Sequence, residues 1–209
     1  MTAITTYATL QTRIAEDCNR TDSAFTTAVP GFIQTGEAEL RRRVGKTRHA
    51  IGRATATINN EYELTPTDYG SPLSFELQSD PKYALTYITP EALSALKGTY
   101  SSSGKPIYYT QIGGEFQFLP EPGEGYTGSL TYYRDIAALS ASNTTNWLLL
   151  KHPDAYLWAS LIYAYQWLQD PAEKANAANA LDIVLASIET RNLSEAYGAS
   201  LQSRPTLVV

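Results

Sequence analysis

Residues Asn143 to Asp170 read NTTNWLLLKHPDAYLWASLIYAYQWLQD. A polar turn runs into Trp147-Leu148-Leu149-Leu150, then His152-Pro153-Asp154, then a segment dense in Leu, Tyr and Trp. Pro153 suits the first position of a helix, and Asp154 puts a carboxylate in the first turn, where the helix dipole favours it. His152 then sits at the cap rather than acting as a base. The helix predicted from Pro153 to Gln169 carries Leu157, Leu161, Ala164 and Leu168 on one side and Tyr156, Tyr163 and Trp167 on another, while Trp158 and Tyr165 fill more of the circumference. A helix that is apolar nearly all round demands contact on several sides. The leucine side is expected to pack on its own bundle. Tyr156, Tyr163 and Trp167 are expected to face a second helix or a neighbouring subunit, and Trp147 to be buried where the turn meets the bundle.

Working outward, Leu10, Ile14 and Cys18 recur at helical spacing within a helix predicted over 5–20. A second helix is predicted from Ser23 to Val44, with Pro30 expected to kink or restart it. Glu37–Arg41 and Glu39–Arg43 stand four apart in the favourable order for surface ion pairs. From Lys46 to Asp135 the pattern changes to alternating runs. Strands are predicted over 48–58, 61–64, 73–77, 83–87, 106–112, 115–119 and 129–134, with Gly113-Gly114 as a hairpin turn and Thr89-Pro90-Glu91 opening a short helix. Helices return after Asp135, the last over 172–191 with a stripe of Ala178, Leu181, Leu185 and Ile188. The fold class is α+β. N-terminal helices (1–45) and C-terminal helices (136–193) form one bundle, an antiparallel β module (46–135) is inserted between them and projects from it, and 194–209 form an extended arm.

The chain has 209 residues, 43% apolar and 18% charged, which places it among globular proteins. Its net charge of −5 argues against a protein that grips duplex DNA. A lone cysteine, Cys18, excludes an internal disulfide framework and reads as a buried, inert thiol. Neither a secretory signal nor a membrane-length apolar run is visible, so folding in a cytoplasm is expected. Fifteen tyrosines against five phenylalanines suit half-buried and interface positions, or ordinary strand-rich composition.

Chemistry is hard to find. The two histidines, His49 and His152, lie far apart in sequence, and none of the motifs of zinc proteases, phosphate loops or serine hydrolases is present. Asp68 with Glu76 or Glu61 offers a carboxylate pair for a hydrolase, but turn capping and solvated strand faces account for them more simply. The run Arg41-Arg42-Arg43 reads as a salt-bridged helix face rather than a phosphate clamp. No enzyme, cofactor or metal site is predicted.

The ordered set of short motifs resembles the head–tail connector adaptor proteins of tailed bacteriophages and related gene transfer agents. Thr145-Asn146-Trp147-Leu148-Leu149 followed by Pro153-Asp154-Ala155-Tyr156-Leu157 is similar to that family's turn and helix. Asn19-Arg20-Thr21-Asp22, Phe32-Ile33 before Glu37-Ala38-Glu39-Leu40, Gly104-Lys105-Pro106 before Tyr108, Pro120 and Thr131-Tyr132-Tyr133 follow in the family's order across about 10–190. Leu64-Thr65-Pro66-Thr67-Asp68-Tyr69 departs from it by one extra residue, and Gly45–Ile58 matches poorly.

The resemblance implies a non-enzymatic homo-oligomeric ring of about twelve copies in the neck of a virion. It would sit beneath the portal protein, extend the channel for double-stranded DNA without binding it tightly, and give downstream tail or nozzle proteins a platform. Tyr156, Tyr163, Trp167, Arg204, Pro205, Leu207, Val208 and Val209 are the expected portal or subunit contacts, and Asn146, Trp147, Pro153 and Asp154 the structural motif. The competing reading is a carbohydrate- or receptor-binding β module of a phage tail, with Tyr-rich strands stacking on sugar rings.

Overall fold

The structure is a computed structural model that describes residues 2–44 and 46–198. The chain divides into two compact units, Met1–His49 with Ile136–Val209, and Ala50–Asp135.

In the helical unit, α1 (Tyr7–Asp17) begins at a capping box. Thr9 N–H donates to Thr6 Oγ1, and Thr6 N–H donates back to Thr9 Oγ1 at 2.8 Å. Helix α2 (Ser23–Arg43) is capped by Asp22, whose Oδ1 accepts from Phe25 N–H at 3.0 Å. It runs through Pro30 as one helix, so it does not restart there. Helix α4 (Trp147–Lys151) is a single turn where only a loop was expected, α5 spans Pro153–Trp167, and α6 spans Pro171–Gly198. Helix α6 thus continues past 194, where an extended arm was placed, and residues 199–209 lie outside the described residues.

Helix α5 is the axis of this unit. It contacts α1, α2, α4 and α6. That environment explains its near-continuous apolar circumference: its own chain covers most of it, and the neighbouring subunit inferred from the sequence is not required for that purpose. The close approach of α2 to α5 depends on Gly36, where an added Cβ would stand 3.0 Å from the Ala159 carbonyl carbon. Leu10, Ile14, Phe25, Ile33, Leu40, Leu148, Leu161 and Leu181 complete the core.

The β unit holds two four-stranded sheets rather than one. The first sheet runs β1 (Ile51–Ile58), β8 (Tyr126–Arg134), β3 (Tyr69–Leu77) and β4 (Tyr83–Ala84). The second runs β2 (Tyr62–Leu64), β7 (Glu115–Leu119), β6 (Tyr108–Ile112) and β5 (Thr86–Tyr87). The alternating run 83–87, expected as one strand, is two short strands that belong to different sheets. Strand β5 pairs parallel to β6, while the other pairings between described strands are antiparallel. The β6–β7 turn needs positive φ at Gly113 (59°) and Gly114 (92°), which only glycine adopts cheaply. Helix α3 (Pro90–Leu96) starts at Thr89 with Pro90 in its first turn, as its sequence predicts. Phe75, Leu77, Tyr109, Phe116, Phe118 and Leu130 pack into an edge-to-face aromatic core.

Candidate functional site

The opening motif builds a buried polar node. Asn146 caps α4, its Oδ1 accepting from Leu149 N–H at 2.8 Å. Its Nδ2 donates to Ala137 O at 2.7 Å and to Tyr156 Oη at 2.5 Å. Tyr156 Oη donates in turn to Glu37 Oε1 at 3.0 Å, and Leu139 N–H donates to the same oxygen at 2.8 Å. Arg41 adds two bonds to Ile136 O, at 2.7 and 3.0 Å. These contacts pin residues 136–139, the stretch entering the helical unit, onto α2 and α5. Burial pushes the Glu37 carboxyl above its ordinary range, against the hydrogen bonds from Leu139 and Tyr156 and the nearby Arg41 charge.

Two sequence readings change here. Glu37 and Arg41 are not a surface ion pair, because both are committed to backbone and hydroxyl partners of distant segments. Tyr156 is 0% exposed, so it holds the core together and presents nothing to a partner chain. Trp167, on the same side of α5, also meets α2 at Phe25 and Phe32, so spacing along the helix does not separate Tyr156 from it.

Trp167 is 45% exposed and meets Phe25 edge-on at 5.7 Å. Tyr163 is half-buried beside the core, as is Trp147, which was expected to be buried. Pro153 begins α5, and Asp154 is exposed in its first turn, its Oδ1 accepting from Ala155 N–H at 3.0 Å. His152 occupies the N-cap position without making a side-chain cap bond. Its Nε2 is buried with no partner, and its ring centre lies 5.9 Å from that of His49. Burial lowers the His152 pKa, and the charges near it from His49, Arg191 and Lys151 act the same way against Asp154. Arg204, Pro205, Leu207, Val208 and Val209 lie outside the described residues.

Two of the carboxylates considered for hydrolysis, Asp68 and Glu61, have structural partners. Asp68 accepts from Tyr132 Oη at 2.7 Å, and Glu61 accepts from Lys97 Nζ at 2.7 Å and Gln117 Nε2 at 2.6 Å. Among the described residues no group of three or more His, Cys, Asp or Glu side chains is placed to hold a metal ion. None of the described helices is long and apolar enough to cross a membrane. Two of the three arginines in the run are salt-bridged: Arg42 pairs with Glu39 at 2.6 Å, and Arg43 pairs with Asp182 on α6.

What the surface offers is contact. Leu150, Trp167, Ile183 and Leu193 stand out on the helical unit, with Ile183 71% exposed. Leu64 (80% exposed), Leu73 and Tyr87 do so on the β unit. Ile183 falls off the buried Ala177, Leu181 and Ile188 line of α6, a phase difference that sequence could have flagged. A family model described as SU10 adaptor protein matches residues 5–204. Among curated proteins none matches the chain.

Proposed function

The chain belongs to the SU10 adaptor protein family, a phage structural adaptor, and we propose from that premise that it is a head–tail connector. Copies assemble into a ring of about twelve beneath the portal, where a closed heterologous arrangement satisfies every interface. The ring extends the DNA channel and gives the tail its platform. The observation that carries this reading is the family match over nearly the whole chain.

Three features support it. Exposed large apolar side chains on both units suit assembly surfaces. The net charge of −5 suits a conduit through which DNA slides, since each neutralised phosphate adds to retention. Asp68 and Glu61, two of the carboxylates that a hydrolase could use, are held by Tyr132, Lys97 and Gln117. Tyr163, Trp167 and residues 204–209 are the proposed contacts with neighbouring subunits and portal, and Tyr156 is removed from that set.

Deleting the gene in the virus that encodes it is expected to give DNA-filled heads that fail to join tails. Normal tailed, infectious particles without the protein would overturn the proposal.

A further inference from the structure

Strand β1 is an outer strand of its sheet, and the ladder fixes which way its backbone groups point. Phe75 O accepts from Leu85 N–H at 2.8 Å, so Phe75 turns its backbone groups toward β4. Leu130 stands opposite Phe75 and therefore turns its own toward β1, where it faces Ala54. Thr127 O accepts from Gln78 N–H at 2.8 Å on the β3 side, which gives the same phase. Along β1, then, Gly52, Ala54 and Ala56 bond to β8. Arg53, Thr55 and Thr57 turn N–H and C=O to the outer edge.

That edge is long and lightly protected. Its sequence IGRATATI has one charge and no proline, and it is eight residues long. The other outer strands have two or three residues. An open edge of this kind is a template for another strand. Beside it lies an apolar cleft of about 90 Å³, lined by Ala54, Ala56, Leu64, Phe75, Phe118 and Leu130. A strand added to β1 would send alternate side chains into that cleft and the others to solvent.

The chain contains a segment of matching pattern. In Pro205-Thr206-Leu207-Val208-Val209, Leu207 and Val209 stand two apart and are branched and apolar. Residues 199–204, outside the described residues, give about 20 Å of chain at full extension ahead of that segment.

We propose that residues 205–209 of a second copy of this chain add a strand to the outer edge of β1, seating Leu207 and Val209 in the cleft between the two sheets. The proposal rests on the ring reading above and names one of its interfaces. In such a ring each subunit gives one strand and receives one, so every β1 edge is covered.

Cysteine crosslinking in the full-length protein tests it, alone and with portal. Thr55→Cys and Thr57→Cys are each combined with Val208→Cys, all three side chains falling on the solvent side of the added strand. Cys18 competes poorly, because burial pushes its thiol up to about 11. Mild oxidation is expected to give a ladder of covalent oligomers, and Thr55→Pro to abolish the Thr57/Val208 ladder. The proline removes only an outward N–H, so the β1–β8 ladder survives, which a thermal melt checks.

Crosslinks confined to single chains would overturn the second copy as occupant. A sample whose native mass shows a ring but which forms no crosslink would overturn the strand and leave the ring. A sample that shows neither would overturn both.

Discussion

Glu37 Oε1 accepts a hydrogen bond from Tyr156 Oη at 3.0 Å, joining the middle of α2 to the start of α5 across 119 positions of sequence. The same carboxylate oxygen holds Leu139 N–H, and the same hydroxyl receives Asn146 Nδ2. One buried pair therefore sets the positions of both helices and of the segment between the units' strands and α4. Tyr156→Phe keeps the ring and removes the hydroxyl, leaving Asn146 and Glu37 each one partner short. Urea denaturation is expected to show a loss of about 1–3 kcal/mol. A change within error would remove the node from the account of stability.

The Glu37 carboxyl, raised by burial, also makes a pH prediction. A group whose pKa is higher folded than unfolded contributes stability below its ordinary range and loses it as pH rises through the folded value. Glu37→Gln keeps an acceptor for both donors and has no charge to bury. Its stability relative to the parent is expected to rise as pH climbs above the ordinary glutamate range. Parallel stability curves for the two proteins would contradict this.

His152 titrates with the opposite sign. Its pKa is lowered chiefly by burial, so its contribution is present above the ordinary histidine range and lost as pH falls through the folded value. The charge would appear at the α4–α5 junction beside His49, Lys151 and Arg191, with Asp154 the opposing group. Acidification from about pH 7 to about pH 5 should destabilise the protein, and His152→Gln should reduce that loss. Equal losses in both proteins would place the acid sensitivity elsewhere.

Much of this architecture was legible. Caps at Asp22 and Thr89, the Gly113-Gly114 turn and the helix start at Pro153 are local chemistry, and local chemistry is written in adjacent residues. The partners of α5 were not. Its apolar circumference was read as a call for another subunit because a sequence does not say that four helices of the same chain surround it. Tyr156 and Glu37 were misassigned for the same reason: each looks like a surface residue until the other is brought to it. The division of 83–87 between two sheets was hidden because alternation reports a face, not a sheet.

Ile183 provides a test of surface use. It is 71% exposed, so Ile183→Glu is expected to change monomer stability by no more than about 0.5 kcal/mol. Sedimentation with portal is expected to show weakened assembly if this side of α6 meets another subunit. Unchanged assembly would direct attention to Trp167 and Leu193.

The conduit reading sets a limit on DNA affinity. With a net charge of −5, Arg42 and Arg43 in ion pairs and Arg41 bonded to the Ile136 carbonyl, the protein is expected to bind duplex DNA at about 10⁻⁴ M or weaker at physiological salt. A gel-shift constant in the submicromolar range would revive Arg41–Arg43 as a phosphate clamp.

The central claim is that the protein works as a ring on a portal. Native mass measurement and symmetry analysis of the purified protein, alone and mixed with portal, address it most directly. A closed oligomer of about twelve copies, formed alone or on the portal, is expected. A chain that stays monomeric or trimeric in both samples, with no portal complex, would contradict it.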